Sequence, residues 1–222
     1  MVQKKKTASA PAARPPTQSQ EGAPARTRGR PKEYDRADAL KRLRDLFWVK
    51  GYAATSLDDL AEAAGMNRPS LYAAFGDKEA MYLAALKMQS ELLVTAVAGA
   101  VALDMKLKLF LDLFFERCID SYLAGANGPR GCFLVGTALT ESLTREDVGE
   151  VVRSAFGRCD DLIEARFERA KAARELPKTA DSRALAMLVS STMHELAMLA
   201  RAGAKRPALA QRAALAAKLA SG

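Results

Sequence analysis

The chain has 222 residues, nearly half of them apolar (49%) and only 6% aromatic, with a net charge of +8. So few aromatics leave an aliphatic, alanine-rich core, which favours helices over sheets, and no apolar run approaches the roughly 18 residues of a membrane span. The charge points to a polyanionic partner, but residues 1–32 hold eight Lys/Arg against Glu21 alone, so the remainder is nearly neutral. The three cysteines, Cys118, Cys132 and Cys159, are scattered and odd in number, which argues against a disulfide framework. The start lacks a secretory apolar segment, and its prolines oppose the amphipathic helix of a transit peptide. A soluble, cytoplasmic protein without membrane contact is expected.

Residues 1–33 are rich in Pro, Ala, Ser, Thr and Gln and show no periodic apolar face. They cannot bury enough surface to offset ordering entropy, so a disordered basic tail is expected. Within it, Arg28-Gly29-Arg30-Pro31 matches the core of an AT-hook, whose arginines fit the narrow, strongly negative A·T minor groove. An ordinary basic leader is the other reading. The place of the motif just before the next segment favours a minor-groove arm.

A first helix is expected over 36–50, with Leu40, Leu43 and Phe47 on its buried face, Trp48 partly buried beside them and Gly51 ending it. The stretch from Thr55 to Glu79, TSLDDLAEAAGMNRPSLYAAFGDKE, then reads as two short helices joined by a tight turn. Thr55 or Ser56 caps the first, Leu57, Leu60, Ala61 and Ala64 recur on one face, and Gly65 ends it. Asn67 caps the second, with Pro69 near its start. Leu71 and Phe75 bury one side of it and leave Arg68, Ser70, Tyr72 and Ala73 outward. Such a helix is about 12 Å long, and a major groove about 12 Å wide admits it. This is a helix-turn-helix pattern, although residues 33–80 are not basic: seven Lys/Arg stand against nine Asp/Glu.

Asp77 caps a long fourth helix to about Ala98, with Tyr82, Leu86, Leu93 and Val97 at helical spacing. Only helices follow, over about 104–123, from near Cys132, and over about 145–174, 179–202 and 207–220. A Gly-rich loop at 125–131 precedes the sixth, and Pro177 ends the seventh. The last two are apolar over more than one face. Met187, Ser191, His194 and Met198 lie beside the main stripe of the eighth, and Ala213, Ala216, Ala217 and Ala220 of the ninth allow close backbone approach. Such surplus fits a second subunit, or a buried central helix in a monomer. The expected fold is all-α with about nine helices: a three-helix, helix-turn-helix domain over 34–80 and a larger helical domain over 81–222.

No catalytic constellation is visible. His194 is the one histidine, in a helix of Leu, Met and Ala. There is no Gly-rich phosphate loop, no cysteine pair at ligand spacing and no nucleophile elbow, so no enzyme, metal or cofactor is expected. Cys132 follows Pro129-Arg130-Gly131 in the expected first turn of the sixth helix. A helix N-terminus and nearby cations lower a thiol pKa, whereas a small buried core residue is the commoner fate of a free cysteine.

The ordered run Leu71-Tyr72-x-x-Phe75-x-x-Lys78-Glu79, preceded by Phe47-x-x-x-Gly51-Tyr52, makes residues 36–86 resemble the DNA-binding domain of the TetR (tetracycline-repressor-like) family of transcriptional regulators. The resemblance implies a ligand-responsive repressor that binds an inverted-repeat operator as a homodimer and is released by a small-molecule effector. It implies base contact from Arg68, whose guanidinium can chelate guanine O6 and N7. Pro69 and Ser70 match positions near base edges or the adjoining backbone, and Tyr72 and Lys78 match phosphate contacts. Thr55 and Ser56 add hydroxyls at a helix N-terminus, a ready anion site, and Arg28 and Arg30 add the minor-groove arm. Ala73 and Ala74 stand where many relatives carry larger residues, which leaves Arg68 and the arm a larger share of readout. Helices 8 and 9 are implied to form a four-helix dimer interface. An effector is implied to bind among helices 4 to 8 and shift helix 4. Candidate pocket residues are Phe110, Phe114, Cys118, Cys132, Phe133 and Phe156, each equally explained as core. The segment Gly131-Cys132-Phe133-Leu134-Val135 is similar to one in a subgroup that senses electrophiles or oxidants. A thiol-based regulator acting through Cys132 is therefore one alternative, and an architectural DNA-binding protein without an inducer is another.

Overall fold

The computed structural model describes residues 33–125 and 128–222; the arm residues Arg28 and Arg30 lie outside this range. Among the described residues the chain is entirely helical: α1 (Glu33–Lys50), α2 (Leu57–Ala64), α3 (Arg68–Phe75), α4 (Lys78–Val101), α5 (Leu107–Leu123), α6 (Phe133–Thr140), α7 (Glu146–Ala172), α8 (Ser182–Arg201) and α9 (Arg206–Ser221).

Local chemistry sets the first boundaries. Ser56, extended at φ −88°, caps α2 by accepting from the Asp59 N–H, and the Asp59 carboxylate accepts in return from the Ser56 N–H, forming a capping box. Gly65 ends α2 at φ 65°, a left-handed turn that glycine adopts without a steric penalty. Asn67 and Asp77 cap α3 and α4 in the same manner, through the N–H groups of Ser70 and Ala80. Farther on, distant residues set the ends. α5 starts at Leu107, three residues later than Asp104 foretold, and the Leu107 N–H donates to Glu175 Oε2 at 2.5 Å. That carboxylate, 68 positions away, acts as the cap.

Two apolar clusters fill the interior. One joins Leu43, Phe47, Leu60, Leu71 and Phe75 of α1 to α3 with Tyr82 and Leu86 of α4, Phe133 and Leu134 of α6, and Val148, Val152 and Ala155 of α7. The other joins Val94, Val97 and Val101 of α4 and Cys159, Ile163 and Phe167 of α7 with α5, α8 and α9. Helices α4 and α7 therefore run through both. Truncating a fully buried leucine such as Leu71 to alanine costs about 2–5 kcal/mol, because the cavity left behind collapses only in part.

α4 is long and apolar enough, by length and composition alone, to cross a membrane. The sequence reading missed this because Lys87 and Glu91 interrupt its apolar run. Here α4 packs against α1, α6 and α7, with Met81, Tyr82, Ala85, Leu86, Val94 and Val97 buried. At the other end of the chain, Ala213, Ala216, Ala217 and Ala220 of α9 are buried in the subunit's own core. The small-residue stripe thus serves packing within the chain, and the side chains left exposed are Leu215 and Leu219 of α9 with Met187 and Met198 of α8.

Candidate nucleic-acid interface

α3 turns Leu71 and Phe75 into the core and leaves Arg68, Pro69, Ser70, Tyr72 and Ala73 exposed. Arg68, in the first turn, donates from Nε at 2.8 Å to Oδ1 of Asp58 on α2, and its Nη2 forms an ion pair with the same oxygen at 2.6 Å. This pairing raises the already high pKa of the guanidinium. Lys78 opens α4 half-buried, with its ammonium 4.3 Å from the ring centre of Tyr52.

Ser56 and Thr55 part company. Ser56 is exposed, but its hydroxyl and N–H serve the capping box. Thr55 is 2% exposed, and its hydroxyl donates to the Gly51 carbonyl at 2.6 Å. The expectation that Thr55 offers a hydroxyl to phosphate is corrected: it closes the turn between α1 and α2. Asp59 also receives Lys50 at 2.8 Å. That ammonium first, and then the Ser56 N–H and hydroxyl, lower the Asp59 pKa from an ordinary 3.8 to about 2.

Two family models match this arrangement. One describes bacterial regulatory proteins of the tetR family and covers residues 39–85; the other describes the tetracyclin repressor-like C-terminal domain and covers residues 111–216. The HTH-type transcriptional repressor ComR of Escherichia coli (strain K12) is 30% identical over 197 residues, which span 84% of this chain and 89% of ComR. The chain belongs to the TetR family. Its all-α architecture agrees with a structure of a CifR cysteine mutant complexed with 26 bp double-strand operator DNA, which is 28% identical with a TM-score of 0.75 over 86% of this chain and 98% of that one. The HTH-type transcriptional activator FasR of Mycolicibacterium smegmatis (strain ATCC 700084 / mc(2)155) is 28% identical over 133 residues, 60% of this chain and 58% of FasR. As a TetR-family member the chain is a DNA-binding transcriptional regulator and not an enzyme.

In this TetR-family chain the helix-turn-helix is tied to the later helices by charged and aromatic contacts that sequence reasoning did not foresee. Arg145, just before α7, has a side chain only 10% exposed, with Nη2 at 3.0 Å from Glu79 Oε1. Its guanidinium carbon lies 4.6 Å from the Tyr52 ring centre and 5.4 Å from that of Tyr82. Nε and Nη1 of Arg145 lie buried without a hydrogen-bond acceptor among the described residues, so ring faces and one carboxylate carry its charge. Arg201, ending α8, donates to the carbonyls of Trp48 and Arg130 at 3.1 Å each and of Val49 at 3.3 Å, satisfying the last turn of α1. Trp48 Nε1 donates to the Arg130 carbonyl at 3.0 Å, and the Arg130 guanidinium sits 4.0 Å from the indole centre. Buried Tyr82 shares a 2.8 Å hydrogen bond with Thr137, and burial pushes its pKa up to about 12. These partners are 55 to 153 positions apart, so no local pattern announces them.

Five of the six candidate pocket residues, Phe110, Phe114, Cys118, Cys132 and Phe156, belong to or pack against one apolar cluster. Phe110 and Phe114 are packed core, their ring centres 5.7 Å apart, with Cys118 half-buried against the same cluster. Phe133 belongs instead to the cluster around α1, 6.0 Å from Trp48 and 5.7 Å from Tyr82 between ring centres. Phe156 sits between the two clusters, 4.2 Å from the ring of His194. Cys132 and Phe133, with Phe47, Trp48, Tyr82, Thr137 and Arg201, line a half-open cleft of about 110 Å³. Cys132 is the N-cap of α6 rather than part of its first turn. Its pKa is raised, because burial outweighs the N–H groups of Val135 and Leu134 that favour the thiolate. Of the two readings open for Cys132, this favours the small core residue over the activated thiol. Burial likewise pushes Cys118 and Cys159 up to about 12.

Proposed function

We propose that this TetR-family regulator is a cytoplasmic repressor that binds an inverted-repeat operator as a homodimer and is released by a small-molecule effector. In this reading residues 34–80 read DNA and residues 81–222 take the effector and pair the subunits. The observation that carries it is α3, which offers Arg68, Pro69, Ser70 and Tyr72 to solvent on a firmly capped scaffold, with Lys78 beside them. The repressor name of ComR and the operator bound by CifR support the same role. The exposed Met187, Met198, Leu215 and Leu219 support pairing through α8 and α9. Arg28 and Arg30 add a minor-groove arm to the basic tail. A small-molecule effector is favoured over a thiol switch, because a desolvated Cys132 is a poor thiolate.

Lys78 supplies a phosphate contact, and salt dependence tests it. Operator affinity of Lys78→Ala should fall to a similar degree on all sequences, with the slope of log affinity against log salt shallower by about 0.9 for one lost contact. An identical slope removes the phosphate assignment. Footprinting should show two-fold protection, and a single asymmetric half-site contradicts the dimeric reading.

A further inference from the structure

α2 opens with two carboxylates that point to different neighbours, Asp59 toward α1 and Asp58 toward α3. Asp59 is committed to the capping box and to Lys50. Asp58 serves no such local purpose; its side chain is 76% exposed, and its partner among the described residues is Arg68 on the next helix. A bare carboxylate beside a polyanion opposes binding through like-charge repulsion. Here it is neutralised by the very side chain placed to read a base.

The geometry is one-sided. Oδ1 of Asp58 accepts the Nε–H and forms an ion pair with Nη2, on the inner edge of the guanidinium. Nη1 and the outer edge of Nη2 have no partner among the described residues, and that edge presents a pair of donors that matches guanine O6 and N7. We propose that Asp58 is a specificity-determining residue that grips Arg68 by its inner edge and presents the outer edge, ready oriented, to a guanine. A free arginine at this position swings toward any phosphate and gains affinity without selectivity. A gripped one meets the adenine amino group donor to donor and rejects it.

The inference rests on Arg68 as the base reader, and one experiment separates the two. Binding-site selection and operator titrations on full-length wild type, Arg68→Ala, Asp58→Ala, Asp58→Asn and the double alanine variant are compared, with thermal melts confirming that each folds. Arg68→Ala should lose at least about fivefold preference at one base pair per half-site. Asp58→Ala should relax preference at that same base pair while binding random duplex as tightly as wild type or more tightly. Asp58→Asn, which keeps an acceptor, should fall between. The double variant should be no less selective than Arg68→Ala. An Asp58→Ala protein that binds its operator more tightly with preference unchanged overturns the proposal, since Asp58 is then a competitor for Arg68. Unchanged preference in Arg68→Ala removes the base-reading assignment and the proposal with it.

Discussion

Asp59 shows how many roles one side chain in the first turn of α2 can combine: it closes the capping box, binds Lys50 of α1 and has its pKa lowered from an ordinary 3.8. Its folded-state pKa is depressed to about 2, so the folded form holds the ionised carboxylate more firmly than the unfolded chain does. The contribution is complete above the ordinary value and fades as the pH falls from about 4 toward 2. Thermal melts of wild type and Asp59→Asn should therefore differ at pH 6 and converge as the pH falls to about 2; a gap independent of pH contradicts this. Ser56, Asn67, Gly65 and Asp77 were legible in the sequence because a cap needs only neighbours within one turn. Thr55 and Cys132 were not. Their chemistry depends on what buries them, and for Cys132 burial reverses the direction that the helix N-terminus alone would set.

Among the elements, Gly131, at the end of the segment that leads into α6, lies close against α8. Gly131 sits at φ +63°, and a Cβ there would lie 2.6 Å from the Ala197 carbonyl of α8. Gly131→Ala should lose about 2–4 kcal/mol in urea unfolding, combining left-handed strain with a backbone clash. Gly99→Ala, in α4 with nothing within 4 Å of a new Cβ, should gain about 0.5–1 kcal/mol. Equal effects of the two would mean that the close approach to α8 carries no weight. The same connection supplies the Arg130 carbonyl to Trp48 and to Arg201, so the loop is clamped where α1 ends. Helix positions were legible throughout from apolar spacing. The start of α5 was displaced because its first N–H groups look to Glu175 rather than to a local cap.

At the scale of the whole molecule, the exposed apolar side chains of α8 and α9 lie on helices that pack side by side. Replacing Leu215 and Met198 by aspartate should give a protein that is monomeric by light scattering and has lost operator affinity, because two half-sites held by one body bind far more tightly than either alone. A monomer with undiminished affinity for the two-fold operator rules out this surface as the interface. The fold class and the family were legible in the run from Leu71 to Glu79. The cleft lining was not, since it gathers residues from α1, α4, α6 and α8.

The cluster that seats α1 to α3 includes, beyond α4, Phe133 and Leu134 of α6 and Val148, Val152 and Ala155 of α7. A ribosome adds about 5–20 residues per second. α3 thus leaves the exit tunnel several seconds before Phe133, Val148, Val152 and Ala155, and the cluster that buries Leu71 and Phe75 is complete only once α7 has begun to emerge.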